Sequence, residues 1–535
     1  MYITTKGEHN ICSVVIYGMC MKKIFKKIVY FILKMGECKK INERVLIKKM
    51  GKKRLSIIAA AVAFGLMCVH GDIKSNASAL KAKDTKSNQT VTINEVRVPG
   101  SNVATAAENL PSEVDNSQTK YFPPIINQGT VESCASWALT YYQASTEFNR
   151  LNDLDGSLPE NQLSPMWTYN FTNGGKNAGT YFTDVAKILK EIGGVDMANI
   201  PVDTSTGEMQ IGNINADKEM FKLASKKRIS GYDGISNGDA NRFDNSTPIT
   251  SPKSEVLNEA KVALNEGHIL SASSPGNKWI YNTIEANDQV PANSEFVGQQ
   301  IVSRCDKPGY AGHRIAIVGY NDDIWVDINE NGNVDEGEKG AFKIANSRGT
   351  EYGNDGYMWM SYDSLNYISS VYQGGNVDLG YENREPSLID IIVLNVDVNQ
   401  TEPEYFIEFD AETSKAAGMS VVVTATKKSD GNLRPYKPAP FKRAMEIGLG
   451  EVDFDGSTNV TKGSFAINIG NLITDVNPDN FNDYNWIVCV GNFGKDDTPI
   501  TYSNFKIVDK NGNVVLNGDT DSVTLESGDK YVRFN

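Results

Sequence analysis

Histidine is scarce in this chain: four residues in 535, of which His9 and His70 fall near the start and only His268 and His313 lie in the body. Chemistry that needs an imidazole therefore has two candidates. Cysteine is also sparse. Four of the seven (Cys12, Cys20, Cys38 and Cys68) precede residue 70, leaving Cys134, Cys305 and Cys489. Three widely spaced cysteines make no disulfide framework, and the absence of a C-x-x-C pair excludes the usual zinc sites. The apolar run Leu55–Val69 is 15 residues long, short for a membrane span. Basic charge is missing from the body: residues 1–54 carry +11 and the remainder −24. That leaves no electrostatic footprint for nucleic acid. No internal repeat or long low-complexity tract is present.

What remains is a soluble globular composition, 40% hydrophobic and 22% charged, long enough for two folded domains. Met50-Gly-Lys-Lys-Arg54 followed by Leu55–Val69 reads as the basic and apolar parts of a signal peptide. Ala77-Ser78-Ala79 is a candidate cleavage site, and a cut after Gly71 competes with it. A signal peptide starts close to its initiator, so Met50 is the expected start and residues 1–49 a mis-assigned extension. Residues 50–79 are then the signal peptide, and the expected location is extracellular. Residues 80–109 are polar without helix or strand periodicity and read as a leader or short pro-segment. Residues 110–398 mix helix and strand patterns. Residues 400–535 show short apolar alternations between turn clusters (Met419–Thr426, Phe465–Ile469, Trp486–Val490, Phe505–Val508 and Tyr531–Phe534), with a hairpin signal at Asn511-Gly512. This predicts a C-terminal β-sandwich behind a linker at 399–403.

The stretch Asn127-Gln-Gly-Thr-Val-Glu-Ser-Cys134-Ala-Ser-Trp137 carries most of the functional information. Trp137, Tyr141, Ala144 and Phe148 recur at helical steps, which places Cys134 at the first turn of a helix. Free N–H groups and the positive dipole end there favour a thiolate and leave the Cys134 N–H able to bind an oxyanion. The Gln128 side chain is a candidate second oxyanion donor. A thiol nucleophile also needs an imidazole to move its proton and a partner to fix that imidazole. His313 opens a strand pattern, His-Arg-Ile-Ala-Ile-Val-Gly-Tyr320. Ala341–Asn346 is a second strand, with Phe342, Ile344 and Asn346 on one face. His268 sits at a helix-to-strand junction and reads as a connector. Cys305 and Cys489 read as buried, inert thiols.

These segments resemble the papain family of cysteine peptidases over roughly residues 110–395. Gln128, Gly129, Ser133 and Cys134 match its nucleophile signature in type and spacing. His313 with Val318-Gly319-Tyr320, and Asn346-Ser347-x-Gly349, match its later motifs in the same order. The resemblance implies an α+β fold with a helical subdomain and an antiparallel β-barrel-like subdomain. It also implies a cysteine-type peptidase hydrolysing protein or peptide substrates, with Cys134 as nucleophile, His313 as base, Asn346 as its orienter and Gln128 at the oxyanion. The sequence departs from the family where Trp follows Asn-Ser, since Arg348 stands there. It also departs after Cys134, where Ala135-Ser136 precede the Trp. His313 and Asn346 lie 179 and 212 residues after Cys134, against about 130–150 in papain-type enzymes.

Part of that excess is Asp327–Glu338, which satisfies D-x-[DN]-x-[DN]-G-x5-E at each fixed position. The expected ligands for structural Ca2+ are Asp327, Asn329, Asn331, the Asn333 carbonyl, Asp335 and Glu338, with Gly332 for the turn and strands rather than helices on either side. For the substrate backbone, Gly174-Gly175 resembles the family's Gly-Gly segment, with Gly179 a competing match. Two rival readings keep the fold: a catalytically weak or inactive binding or adhesion protein, supported by Arg348, and an acyl transferase of transglutaminase or transpeptidase type. Tyr381, Tyr405 and Trp486 are candidate aromatics through which the C-terminal domain would bind a cell-surface or polysaccharide ligand.

Overall fold

The structure, a computed structural model, describes residues 95–97, 110–202, 210–235, 254–305, 312–365, 369, 371–372, 391–396, 402–441, 449–471 and 480–535. The signal-peptide region and Tyr381 lie outside these residues. No helix among the described residues is long and apolar enough to cross a membrane.

Architecture in the first part is mixed α/β. A continuous helical rod runs from Cys134 to Asn152, wound α over Cys134–Ser136, π over Trp137–Ala144 and α again over Ser145–Asn152. Periodicity predicted one apolar face, but all positions from Ala135 to Glu147 are buried. Several of its polar side chains are bonded, as Gln143 Nε2 donates to the carbonyls of Ile269 and Ile392 and the Thr140 and Thr168 hydroxyls pair at 2.7 Å, while Ser136 Oγ, Trp137 Nε1 and Gln143 Oε1 have no partner among the described residues. Shorter helices Pro165–Asn170 and Phe182–Glu191 pack around the rod.

Beside it lies a ten-stranded sheet in which His313–Trp325 is central, flanked by Leu270–Ser274 and Lys339–Ala345. Two of its pairings are parallel, Glu95–Arg97 with Gly231–Ile235 and Gln300–Cys305 with Tyr357–Ser361, and the strand path is open. The expected barrel-like, all-antiparallel arrangement is thus not the one observed among the described residues. Glu95–Arg97 also corrects the reading of 80–109 as lacking strand: three residues pair there although the local pattern is polar, because the ladder is satisfied by backbone groups alone.

Residues 402–535 form two antiparallel sheets. One contains Tyr405–Thr413, Thr461–Asn468, Ile500–Asp509, Val514–Asn517 and Ser522–Leu525; the other Leu433–Tyr436, Met419–Lys427, Tyr484–Asn492 and Gly528–Arg533. The Asn511-Gly512 turn lies in the hairpin between Ile500–Asp509 and Val514–Asn517, with Gly512 at φ 85°. Their buried faces share one apolar cluster with the helical part of the first domain. Phe465 is its hub, with ring centroids 5.1–5.5 Å from Phe409, Phe441, Phe454 and, across the domain boundary, Phe221. Glu408, nearly inaccessible, takes Lys222 at 2.7 Å, Lys218 at 3.2 Å and Lys506 at 3.3 Å. Burial pushes its carboxyl pKa up, but the lysines more than offset this and leave it below the usual range. Trp486 is 1% exposed and serves the core, while Tyr405 is partly buried with its ring tilted against Phe481 at 4.4 Å between centroids.

The shared core makes the two parts unfold together. Phe465→Ala should cost about 3–5 kcal/mol and should shift one common melting transition. Two separate transitions, with only the later one moved, would show that the parts are independent.

Candidate active site

The pairing of His313–Trp325 with Lys339–Ala345 aligns Ala316 with Ala345 and Ile317 with Ile344. Asn346 follows directly after its strand, and its Oδ1 lies 2.9 Å from His313 Nε2. The same oxygen accepts the Ser347 N–H at 2.9 Å, which fixes the amide with oxygen toward the ring. A carbonyl oxygen only accepts, so His313 carries its proton on Nε2 and leaves Nδ1 as the bare base.

Cys134 opens the helical rod, and its N–H has no partner among the described residues. The backbone N–H groups of Arg314, the residue after His313, and of Ala135 point to the Cys134 sulfur. The thiol therefore stands at the strand end that carries His313. Burial nevertheless pushes its pKa up, against these donors and the nearby Arg314 charge. This corrects the expectation of a pre-formed thiolate: desolvation of the sulfur outweighs the helix start. His313 moves the other way, down to about 4, because burial and the Arg348 charge outweigh the Asn346 hydrogen bond. At neutral pH the resting pair is thiol and neutral imidazole, with the proton transferred when the sulfur attacks.

Gln128 is tied to the same corner. Its Oε1 accepts from Ser347 Oγ at 2.5 Å, its N–H donates to the Ser347 carbonyl at 2.9 Å, and Nε2 donates to the Val131 carbonyl at 2.7 Å. The second Nε2 hydrogen is the one available to an oxyanion. Two glycines expected to face substrate have another neighbour: a Cβ on Gly175 would stand 2.8 Å from Val452 and one on Gly450 would stand 2.3 Å from the Gly174 carbonyl, so both meet the C-terminal domain. Gly179 opens onto empty space, and Asn177 nearby bonds the Thr130 carbonyl and the Glu132 N–H in the loop before Cys134. A Cβ on Gly174 or on Gly179 would meet no atom within 4 Å, so these two, and not Gly175, have room beside them.

His268 is elsewhere, with Nδ1 3.1 Å from the Glu147 carboxylate, which lies about 20 Å along the rod from Cys134 at 1.5 Å per residue. Cys305 is buried against the Ser364 carbonyl as expected, whereas Cys489 is only half-buried and faces Asp529; partial burial and that carboxylate push its thiol up to about 11.

Sequence reasoning missed Trp279. Its ring meets His313 edge-on, with centroids 5.8 Å apart, while its Nε1 donates to Ser274 Oγ at 2.7 Å. It packs on the imidazole from the strand Trp279–Thr283, and no local spacing links the two. Arg314 was missed as well: its buried guanidinium bonds Ser271 and Ser273 and sits 4.1 Å over the Phe182 ring.

The Asp327–Glu338 segment is the hairpin loop between the two site strands, closed by Trp325 opposite Lys339. Asp327 accepts the N–H groups of Asn331 and Gly332, and Asp335 Oδ2 accepts from the Asn329 and Asn331 amides. Glu338, 1% exposed, accepts from the N–H groups of Ile328 and Asn329 on Oε1 and from Trp325 Nε1 and the Asp335 N–H on Oε2. Four donors fill its acceptor sites, so in this arrangement Glu338 closes the loop itself. Among the described residues no cluster of three or more acidic, Cys or His side chains is arranged to hold a metal.

No family model matches this chain, and no curated protein does. Solved structures with some likeness are papain-like cysteine proteases. Xylellain, a cysteine protease from Xylella fastidiosa, is 18% identical over 60% of this chain and 100% of its own, at a TM-score of 0.33. Bromelain from Ananas comosus, in complex with the E64 inhibitor, is 14% identical over 54% of this chain and 100% of its own, at 0.31. Procathepsin L 3 of Tenebrio molitor larval midgut is 16% identical over 54% and 70%, also at 0.31. Likeness at this level assigns no function by itself.

The depressed His313 pKa has a thermodynamic consequence. An unfolded chain takes up this proton below about pH 6.5, the folded one only near pH 4. Stability is therefore fully present above pH 6.5 and falls by roughly 3 kcal/mol toward pH 4. His313→Asn should remove that part of the acid loss, read as the difference between denaturant midpoints of the two proteins at pH 7.5, 5.5 and 4. Parallel acid losses in both proteins would mean that His313 titrates as it does in an unfolded chain.

Proposed function

We propose that this chain is a secreted cysteine endopeptidase of the papain-like type, with a papain-like domain followed by a C-terminal β-sandwich. The observation that carries the reading is the His313–Asn346 hydrogen bond at 2.9 Å, beside the one thiol, Cys134, that opens a helix against the same strand end. In the proposed reaction Cys134 Sγ forms a bond to the scissile carbonyl carbon as its proton passes to His313 Nδ1. The carbonyl oxygen takes negative charge facing the Cys134 N–H and Gln128 Nε2. Collapse breaks the C–N bond, and the imidazolium gives its proton to the leaving amine. Water, deprotonated by the same imidazole, then releases the acyl group and restores the thiol. An acyl transferase would share every step but the last, an amine replacing water.

The test is cleavage of an unstructured protein, with and without a thiol alkylator. Cys134→Ala and His313→Ala should each lower the rate by at least a hundredfold, while Cys305→Ala, Cys489→Ala and His268→Ala keep most of it. Asn346→Ala should cost less than His313→Ala, since it disturbs orientation rather than proton transfer. Undiminished cleavage by Cys134→Ala would end the proposal, and amine incorporation in place of hydrolysis would favour the transferase.

Structural calcium in the Asp327–Glu338 loop is a second proposal, supported by the complete ligand pattern and by the loop's place between the two site strands. It requires Glu338 to exchange part of its N–H donors for the cation. An extracellular site of this kind binds at about 10⁻⁴–10⁻³ M, so millimolar calcium would add about 1–2 kcal/mol. Chelation should lower the melting temperature and slow cleavage, and calcium but not magnesium should restore both. Glu338→Gln destabilises the loop in either case, so the chelator decides: a melting curve that ignores it leaves a hairpin closed by Glu338 alone.

A further inference from the structure

Arg348 occupies a corner that the proposed reaction leaves unexplained. It lies two residues after Asn346, and its backbone bridges to Asn127, next to Gln128. The guanidinium is exposed and stands 5.5 Å over the Tyr352 ring, whose hydroxyl is 3.1 Å from that of Tyr281. Among the described residues Arg348 has no ion pair and no side-chain hydrogen bond. Yet it is close enough to His313 to disfavour the imidazolium, so its charge opposes the proton transfer that the site depends on. A cation placed there at a cost to the base, and left without a protein anion, is a cation awaiting one from elsewhere.

The location says which part of a substrate supplies it. His313 must deliver a proton to the leaving nitrogen, so the leaving fragment runs past the imidazole. Arg348 follows Asn346, which bonds the imidazole, and Ser347, which bonds Gln128, so it stands at the edge of the site next to His313. Resting on the peptidase reading, we propose that Arg348 binds a carboxylate on the first residue of the leaving fragment. Two sources share this chemistry, an Asp or Glu side chain within a longer chain and the terminal carboxylate of a single leaving residue. The anion also offsets the repulsion between Arg348 and the imidazolium as the leaving amine is protonated, so the preference belongs in kcat/KM.

The experiment uses the full secreted protein and quenched fluorogenic peptides with a common acyl half. One set carries Glu, Gln or Lys at the first leaving position within a longer sequence. The other ends at that position as free acid or amide. Expected is a Glu-over-Gln ratio in kcat/KM of roughly tenfold, with Lys poorest, shrinking in 0.5 M salt as an exposed pair should. The ratio should fall to about one in Arg348→Gln and invert toward Lys in Arg348→Glu. Because Glu and Gln peptides share the same chemical steps, the ratio is indifferent to any change Arg348→Gln makes in His313. A gain confined to the free-acid peptides assigns the terminal carboxylate as the source. Equal rates for Glu and Gln and for acid and amide, or a preference that survives Arg348→Gln, overturn the proposal. Absence of all cleavage by folded protein instead sinks the peptidase reading. Fluorescence anisotropy of the same peptides on Cys134→Ala then still decides: tighter binding of carboxylates, lost in Cys134→Ala/Arg348→Gln, supports the Arg348 site, and charge-blind binding refutes it.

Discussion

A side-chain hydrogen bond of 2.9 Å between His313 and Asn346 holds only if two strand ends keep their spacing. That spacing is set by the ladder between His313–Trp325 and Lys339–Ala345, where shifts in register occur between Ile317 and Gly319 and again between Asn321 and Trp325. A slip of one residue would turn every side chain to the opposite face. The hairpin loop at the far end of this pair closes through Glu338, which ties both strand ends to four N–H donors. The near end is tied by Ser347 to Gln128, and through it to the loop that leads into Cys134. Nucleophile, base and orienter are thus joined by backbone ladders and short side-chain bonds and owe little to surface loops.

Electrostatics at this site favour neutrality. Burial raises the thiol, and burial with Arg348 lowers the imidazole. Both shifts disfavour the charged pair at rest, so the reacting groups become charged only when a carbonyl is present to take the electrons. The Trp279 ring packs edge-on against the imidazole, and Arg348 adds an exposed positive charge nearby. A leaving fragment that carries a carboxylate would cancel that charge at the step where the imidazolium must exist. Tuning and selection would then be one device.

Much of the site was legible because its residue types are rare and their local patterns strict. With two histidines in the body, His313 was singled out by the strand it opens, and Asn346 by the strand it follows. The hairpin between them was readable as a turn with strands rather than helices on either side, since Gly332 and the alternating Asp and Asn residues favour such a backbone. What stayed hidden depends on contacts between distant segments. Trp279 reaches His313 from 34 residues upstream, and nothing in its own neighbourhood announces it. The sign of the Cys134 shift could not be read either, since a helix start argues for the thiolate and only packing reveals how dry the sulfur is. Gly174-Gly175 has the right composition for a substrate platform, yet its tight turns serve close approach to Gly450 and Val452. The Tyr405–Thr413 strand, central to its sheet, alternates apolar and acidic residues from Ile407 to Glu412, and the bulge beside Glu408 lies in its partner, where Ile500–Asp509 carries an extra residue.

That bulge bears on why the C-terminal sheets are not an appendage. Glu408 lies beside it on the face opposite Ile407 and Phe409, a face that an isolated sheet would leave to solvent and that a helix covers here. Its three lysine partners come from both sides of the boundary, Lys218 and Lys222 from the helix Lys218–Ala224 and Lys506 from the sheet itself. Without the helix, the Glu408 carboxylate would keep one cation in place of three. Phe465 repeats the logic in apolar form, with Phe221 of the same helix completing its ring of aromatics. The helix leads back to the rest of the first domain through Phe221, which meets Trp167 and Phe171 edge-on with centroids 5.3 and 5.9 Å away. Trp167 in turn lies on the short helix Pro165–Asn170, where Thr168 bonds Thr140 of the rod that begins with Cys134. The second domain therefore stiffens the wall from which the nucleophile projects, and that is a structural reason for its presence that requires no ligand of its own.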